Sequence, residues 1–525
     1  MINTQKQKLM FYSIVSLMLS MATCVKGETT DIKKPEIVLS NVIPVVKKEM
    51  EIKIANADSI KEEAIFSITR EGKDVVKEKI SPVNGVIGKK WIPEETGFYV
   101  ASFDFGKSTP GKLSLEFPVV YKEIYFVAWP PLTKDEGKKY RYLSSYIILS
   151  GSPGSGHGDE EIPYWKSRGS KTLGYTYGMQ RIDMGISEDE AIKKAVDNWS
   201  APMKKGFDGI LMDEFGEYPL PEGLKKVERA GKALIQLRKE NPDMLIFPCI
   251  SGALLREESI YDRQSGSIAL LETYESCFEQ GVGTHSFEKR LDYRVMVARN
   301  TDALWQMNYK HGTLIFLQLG GGMLISQLED RVRYIKKTAP EMPGIAFYVS
   351  REKQWSVDAG LFQAAENFCL KYYIKPVVDI REIWLSNHTP HTGEEVDIFV
   401  RVHNLGGMDA RDVKLNIYAL EASANKKIPI GKDIIIKKIG AGWVDIKLNK
   451  NEKPEYYECQ EINGITYPIF PTTKGGTNII WIDRYTVKAS WKPKEKGHYT
   501  IIAEVEPADN YTILDDNLEK DICVR

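Results

Sequence analysis

Residues 206–218 read GFDGILMDEFGEY, an apolar run that ends abruptly in carboxylates and an aromatic. Ile210, Leu211 and Met212 show no polar alternation, which predicts a strand buried on both faces, and Asp213, Glu214 and Glu217 follow where that strand emerges. Strands buried on both faces belong to parallel sheets, and in a parallel α/β barrel the C-terminal strand ends carry the chemistry. A helix N-terminus is the competing reading of the acids. Pro219, Pro221 and Glu222 precede a helical stretch, and carboxylates stabilise a first helical turn through the macrodipole. Glu217 and Glu222 fit that second reading. Asp213, at the end of the strand itself, fits the first.

Seven further runs of the same kind surround this one. Residues 124–129, 146–149, 172–177, 209–213, 244–249, 268–272, 314–319 and 345–349 are strand-like, with helical segments between them. Ser187 and Glu190 have capping-box spacing ahead of an apolar helix face at 191–199, residues 223–239 are amphipathic, and 327–338 ends before Pro340. Eight such units over residues 120–375 predict a (β/α)8 TIM barrel. The link between the first two strands is short for a full helix.

Outside this region the grammar changes to period two. In residues 34–118, Tyr99, Ala101, Phe103 and Phe105 alternate with polar positions, and in 376–525 Val396, Ile398, Val400 and Val402 do the same. Each flank is read as an immunoglobulin-like β-sandwich. An internal echo links them: Trp91, Pro93, Gly97 and Tyr99 recur at the same spacing as Trp491, Pro493, Gly497 and Tyr499. Pro and Gly set a turn, and the Tyr that opens the next strand returns its hydroxyl to the backbone, as in a tyrosine corner. The fold class is therefore multidomain, a central barrel between two sandwiches.

Composition agrees with a folded protein of several domains. The chain has 525 residues, 42% hydrophobic and 10% aromatic, with a net charge of -1; that balance gives no basic excess to steer it toward nucleic acid. Residues 1–27 carry Lys6 and Lys8 ahead of an apolar stretch at 9–22 that is short for a membrane span, and read as a signal peptide. Secretion or a periplasmic location is the expectation, with a lipid anchor on Cys24 as the alternative, because residues 21–24 loosely resemble a lipobox. No later stretch has the length of a transmembrane span. Cys249, Cys277, Cys369, Cys459 and Cys523 are scattered without zinc spacing and read as mostly buried thiols; a bridge between one pair after export stays open.

If the eight runs are barrel strands, Trp129, Tyr177, Asp213, Glu214, Glu272, Tyr274, Glu275, Gln318 and Tyr348 share one rim, with Tyr218 in the loop beyond Asp213. Paired carboxylates on such a rim are the chemistry of glycosidic cleavage, one acid protonating the leaving oxygen and the other carboxylate acting as nucleophile or as base for water. Rim aromatics suit sugars, whose carbon-hydrogen faces stack on flat rings. Parity places Gly209, Leu211 and Asp213 on one face and Ile210, Met212 and Glu214 on the other; small Gly209 suits a crowded barrel interior, so Asp213 is the inward carboxylate. Glu272 ends its apolar run and is the better partner, Glu275 lying three residues on. No cofactor or metal is expected. His157 and Asp159 lie in a glycine-rich loop without P-loop or dinucleotide spacing, and no Gly-x-Ser-x-Gly elbow is present. Gly320–Gly322, after the seventh strand, fits a barrel phosphate loop and close backbone packing equally well.

Two resemblances extend these readings. GFDGILMDEFGEY, PDMLIFPC (242–249) and LLETYES (270–276) resemble the TIM-barrel glycosidases of the endo-α-1,4-polygalactosaminidase type over about 110 residues. The resemblance implies a strand-four Asp at Asp213 and a strand-six Glu at Glu272. TPHTGEEVDIFVRVHNLGGMDARDVKLNIYAL (389–420) is similar to the opening of the bacterial cell-adhesion-related (CARDB-like) sandwich domains, and Asp509-Asn510 and Asp515-Asp516-Asn517 to the turn before their last strand. An insertion at 449–483 departs from that pattern. The acidic turns have calcium-ligand composition or are solvated β-turns. The expected partner is a polysaccharide or oligosaccharide, with a cell-surface glycan or protein as a further partner of the sandwiches. The alternative class is a non-catalytic surface glycan-binding or adhesion protein whose barrel acids are rim charges.

Overall fold

The computed structural model describes residues 34–525 apart from 59, 109, 130–131, 150–157, 214, 216–221, 251–264, 274–312, 320–322, 339, 341, 350–358, 442–443, 448–459, 463–464, 468–476, 481–484 and 516. Seven strands come first: Glu36–Leu39 (β1), Met50–Ala55 (β2), Ala64–Arg70 (β3), Lys73–Ile80 (β4), Gly88–Trp91 (β5), Gly97–Asp104 (β6) and Lys112–Val119 (β7). They form two antiparallel sheets, β1-β2-β5 and β4-β3-β6-β7. Leu39, Ile52 and Ile54 of the first sheet share one core with Phe66, Ile68, Phe103 and Phe117 of the second. Sequence patterning misses β4 for a physical reason: KDVVKEKI is exposed along most of its length, the charged composition that keeps a sheet edge from pairing with another chain.

All eight central runs are strands: Tyr125–Trp129 (β8), Tyr146–Leu149 (β9), Lys171–Tyr177 (β10), Gly209–Asp213 (β11), Leu245–Ile250 (β12), Ala269–Thr273 (β13), Thr313–Leu319 (β14) and Gly344–Val349 (β15). They are parallel and close into a barrel in chain order. The inner face is filled by Val127, Ile148, Leu173, Leu211, Phe247, Leu270, Leu314 and Ala346. The alternate residues Ile210 and Met212 pack outward with residues of Glu188–Lys204 and Glu222–Glu240. Burial on both faces is why these strands lack polar alternation.

The helices of this region are Lys134–Lys139 (α1), Ile162–Ser167 (α2), Glu188–Lys204 (α3), Glu222–Glu240 (α4), Ile325–Thr338 (α5) and Ala359–Cys369 (α6). The short β8–β9 link is filled by the single small helix α1. Ser187 caps α3 by accepting from the Glu190 amide; the return bond of a full capping box is not formed among the described residues. Gly209 has a different cause from the one its sequence suggests. A Cβ there would lie 2.1 Å from the Leu245 carbonyl oxygen, so the approach of the adjacent strand, rather than a crowded barrel centre, demands glycine.

Beyond the barrel, Val377–Leu385 (β16), Val396–Asn404 (β17), Ala410–Glu421 (β18), Lys426–Ile439 (β19), Val444–Lys447 (β20), Gln460–Ile462 (β21), Ile465–Tyr467 (β22), Thr477–Ile480 (β23), Tyr485–Trp491 (β24), Gly497–Val505 (β25), Thr512–Ile513 (β26) and Asn517–Val524 (β27) follow. Two four-stranded sheets, β24-β17-β16-β26 and β19-β18-β25-β27, face each other across one core; β20-β23 and β21-β22 are separate two-stranded ladders. The acidic turns are engaged in structure: Asn510 donates to the Arg411 carbonyl and Asp515 pairs with Lys337 of α5.

The repeated Trp-Pro-Gly-Tyr device is formed twice. Tyr99 Oη donates to the Glu95 carbonyl at 2.9 Å and Tyr499 Oη to the Glu495 carbonyl at 3.2 Å, each ring lying 5.1 Å from its Trp. Gly97 and Gly497 have φ of 144° and 154°, backbone that side chains disfavour. Tyr99→Phe and Tyr499→Phe are each expected to lower stability by about 1 kcal/mol, the net worth of one such bond. Urea titration checks this, and an unchanged midpoint in both variants counts against the device.

The three parts of the chain meet in one apolar cluster. Val42, Ile43 and Val45 from before β2, the outer faces of several barrel strands, Phe368 and Tyr372–Ile374 around the end of α6, and Leu405, Met408 and Leu514 from the last unit belong to it. The first and last units also touch directly: the Thr96 hydroxyl accepts from the Asp409 amide, and Glu95 pairs with both Arg70 and Arg411. Cys249 and Cys369 are buried and Cys523 is partly buried, none of the three in a disulfide, and burial pushes the Cys369 thiol well above its ordinary value.

Glu366 of α6 accepts from the Tyr142 and Leu143 amides at 2.8 and 2.9 Å. Burial outweighs these two donors and pushes its carboxyl up to about 7. Because the folded value lies above the unfolded one of about 4.3, the native state holds the proton more tightly across that interval. Its contribution to stability is therefore greatest below about pH 4 and falls as pH rises to about 7, by an amount on the order of 3 kcal/mol. Denaturant unfolding at pH 5 and pH 8 should show a steeper loss in wild type than in Glu366→Gln. Equal losses in the two proteins would remove Glu366 as the cause.

Candidate active site

Strand register sets the height of each residue at the C-terminal mouth. In a barrel of this type the strands are sheared by about one residue per strand step. The pairs Val127↔Tyr146 and Ile148↔Leu173 then put Tyr175 level with Trp129, and their rings are stacked, 6.0 Å apart and 11° from parallel. Continuing through Tyr175↔Leu211, Leu211↔Phe247, Cys249↔Leu270 and Leu270↔Leu314 brings Cys249 and Phe316 to the same height. Trp129, Tyr175, Cys249 and Phe316 thus form one layer from alternate strands. The layer above comes from the other strands. Asp213 on β11, position 272 on β13 and Tyr348 on β15 occupy it, through Cys249↔Leu270, Glu272↔Phe316 and Phe316↔Ala346.

The lower layer is an aromatic floor. Trp129 lies 5.0 Å from Tyr348 and 6.1 Å from Phe316, and Phe316 meets Tyr348 edge-on at 6.1 Å. Tyr177 stands one step above Tyr175 and meets it edge-on at 5.5 Å, with the Arg181 guanidinium 5.8 Å from its ring. Trp129, Tyr175, Tyr177 and Tyr348 all remain partly exposed.

Asp213 stands on this floor. Tyr175 Oη donates to Asp213 Oδ2 at 2.5 Å. Burial, and then the hydrogen bond to Asp213, hold the Tyr175 phenol far above its ordinary value, so it stays a donor at any physiological pH. The backbone on both sides of Asp213 is fixed: its carbonyl accepts from Gly178 N at 2.7 Å, and Phe215 N donates to the Cys249 carbonyl at 2.9 Å. Phe215 then buries its ring on the helix side of β11. Trp199 of α3 donates Nε1 to the Tyr177 carbonyl and anchors the end of β10. Among the described residues no group of three or more His, Cys, Asp or Glu is arranged to hold a metal ion, and no helix is long and apolar enough to cross a membrane.

No protein-family profile and no curated relative matches this sequence. Solved structures do. The chain is similar to a CARDB domain from Pyrococcus furiosus, at 14% identity over 29% of this chain and 91% of that one, with a TM-score of 0.15. It is similar to the cycloisomaltooligosaccharide glucanotransferase of a Paenibacillus species, at 10% identity over 93% of this chain and 71% of that one, with a TM-score of 0.32. It is also similar to an endo-β-N-acetylglucosaminidase from Cordyceps militaris, at 14% identity over 43% and 78% of the two chains, with a TM-score of 0.32. At these scores the likenesses carry no argument about activity, which rests on the site.

Of the rim residues expected from the sequence, the structure brings Trp129, Tyr177, Asp213 and Tyr348 to one mouth. Positions 272 and 318 belong to strands β13 and β14, in register with Phe316 and Tyr348 respectively. Glu214, Tyr218, Tyr274, Glu275 and His157 lie outside the described residues. Asp159 is described and pairs with Lys205 at 2.7 Å. Besides Phe316, sequence reading missed Tyr175. The parity rule that selects Asp213 selects it too, since Leu173, Tyr175 and Tyr177 share a face, but a strand-end search credits only the last residue of each run.

Proposed function

We propose that this chain is an exported glycoside hydrolase that cleaves a polysaccharide or oligosaccharide at the barrel mouth, with Asp213 and Glu272 as its carboxylate pair. The observation that carries this reading is Asp213, seated at the end of β11 with the Tyr175 hydroxyl on Oδ2 and an aromatic floor beneath it. A carboxylate that receives a hydrogen bond from a permanently protonated phenol is cast as the acceptor, the role of nucleophile or of base for water. The acid that protonates the leaving oxygen then falls to Glu272, whose position lies in the same layer two strands away. Neighbouring inward positions of one layer suit groups that must flank a single bond. Trp129 and Tyr348 give a sugar ring a flat apolar face beside the carboxylates. The two-sheet units on either side would bring the barrel to a cell-surface glycan or protein.

Incubating the mature protein with a polysaccharide array, with reducing-end detection alongside binding measurements, tests this reading. New reducing ends on one glycan class are the expected result. Binding without cleavage on every glycan would transfer the reading to a surface glycan-binding protein with an inactive barrel.

A further inference from the structure

A second cleft lies away from the barrel mouth, between the N-terminal sheets and the barrel. It encloses about 340 Å³ and is lined by edge strands β1 and β7 on one side and by Lys138, Arg141 and Arg168 on the other. That volume is at the small end of ligand pockets, which run from about 300 to 1,000 Å³. Its charge is one-sided. Glu36 is the carboxylate of the lining, and Arg168 already holds it at 2.6 Å. Lys138 makes a 3.6 Å contact with the fully exposed Asp135.

Arg141 is the unusual member. Its Nη1 donates to the Glu116 carbonyl at 3.1 Å and its Nη2 to the Val42 carbonyl at 3.5 Å, so both partners are neutral backbone groups. Among the described residues it forms no ion pair. The nearby buried carboxyl of Glu366 has both oxygens on the Tyr142 and Leu143 amides. Burial accordingly lowers the Arg141 pKa. A guanidinium offers five N–H donors in a rigid fork matched to a two-oxygen anion, and a partly dehydrated cation whose nearest carboxyl, Glu366, acts on it only through space keeps donors to spare for a direct partner. The two carbonyl contacts orient the fork without neutralising it.

We propose that this cleft binds a small ligand through a carboxylate or sulfate group held by Arg141, with Lys138 at its entrance. The ligand is of monosaccharide scale and contacts both the N-terminal sheets and the barrel, so its binding stabilises the whole chain. The site is separate from Asp213 and stands whether or not the barrel cleaves glycans.

The probes are glucuronate, inorganic sulfate and neutral glucose, added to the mature protein at constant ionic strength and followed by calorimetry and melting temperature. Saturable heat and a raised melting temperature with glucuronate or sulfate, and neither with glucose, are expected. Tighter binding of glucuronate identifies an acidic sugar as the ligand, whereas equal or tighter binding of sulfate identifies a free anion. Arg141→Met should weaken the anion by about tenfold or more, the loss of a charge-assisted bond. Lys138→Glu reverses an exposed charge without touching the packing and should weaken it by roughly threefold. Ser114→Trp, from the β7 side, should block the cleft with every charge intact. Absence of saturable binding by both anions overturns the proposal, as does wild-type binding in both Lys138→Glu and Ser114→Trp.

Discussion

Asp213→Asn is expected to lower glycan cleavage by roughly two to four orders of magnitude, the scale on which an acid or base is lost. The melting temperature should stay near that of wild type. The substitution removes a charge and a proton acceptor with almost no change in volume, and an amide oxygen can still accept from Tyr175 Oη, so the hydrogen bond that seats the side chain survives. Glu272→Gln should behave alike. If the double variant is hardly worse than either single one, the two carboxylates act as a unit. Tyr175→Phe separates positioning from chemistry. It keeps the carboxyl group at position 213 but removes the hydrogen bond from Tyr175 to Oδ2, so kcat should fall by less than in Asp213→Asn while KM changes little. Full cleavage by Asp213→Asn would end the assignment and move attention to Glu214 and Glu275.

Trp129→Ala should be the most damaging change at the mouth for stability, costing about 3 kcal/mol. Its ring is stacked on Tyr175 and touches Phe316 and Tyr348, so truncation opens a void that three other strands border. Because Trp129 is partly exposed, the cost sits at the low end of the range for an aromatic-to-alanine change. Cleavage should fall as well, since Tyr175 loses the ring that fixes it beneath Asp213. Trp129→Phe should recover most of the stability and part of the activity. Denaturant midpoints and steady-state kinetics on the same samples decide the matter, and an unchanged midpoint in Trp129→Ala would show that the floor is not a packed layer.

The barrel was legible because both faces of its strands are buried, so most of them announce themselves as apolar runs such as Ile210, Leu211 and Met212. The same rule hid β4, β5 and β7, whose exposed lysines and glutamates read as turns although they complete sheets. Single-strand parity was enough to aim Asp213 inward. Level across strands was not readable, because it depends on register and shear, which no one strand encodes. For that reason Tyr175 and Phe316 do not stand out as site residues until Trp129 is stacked between their strands. Gly209 is special by its position in the sequence, yet the atom that excludes a side chain there, the Leu245 carbonyl oxygen, belongs to a strand more than thirty residues later.

The shared cluster of Val42, Val45, Phe368, Tyr373, Leu405 and Leu514 bears on how such a chain can be rearranged. Its three parts are not interchangeable cassettes. A barrel transplanted without the residues around 40–45 and 405–408 would carry a raw apolar wall on the outside of β8 and α6, and a flank moved alone would lose what its own linker packs against. Recombination at either junction therefore has to exchange both sides of the joint together.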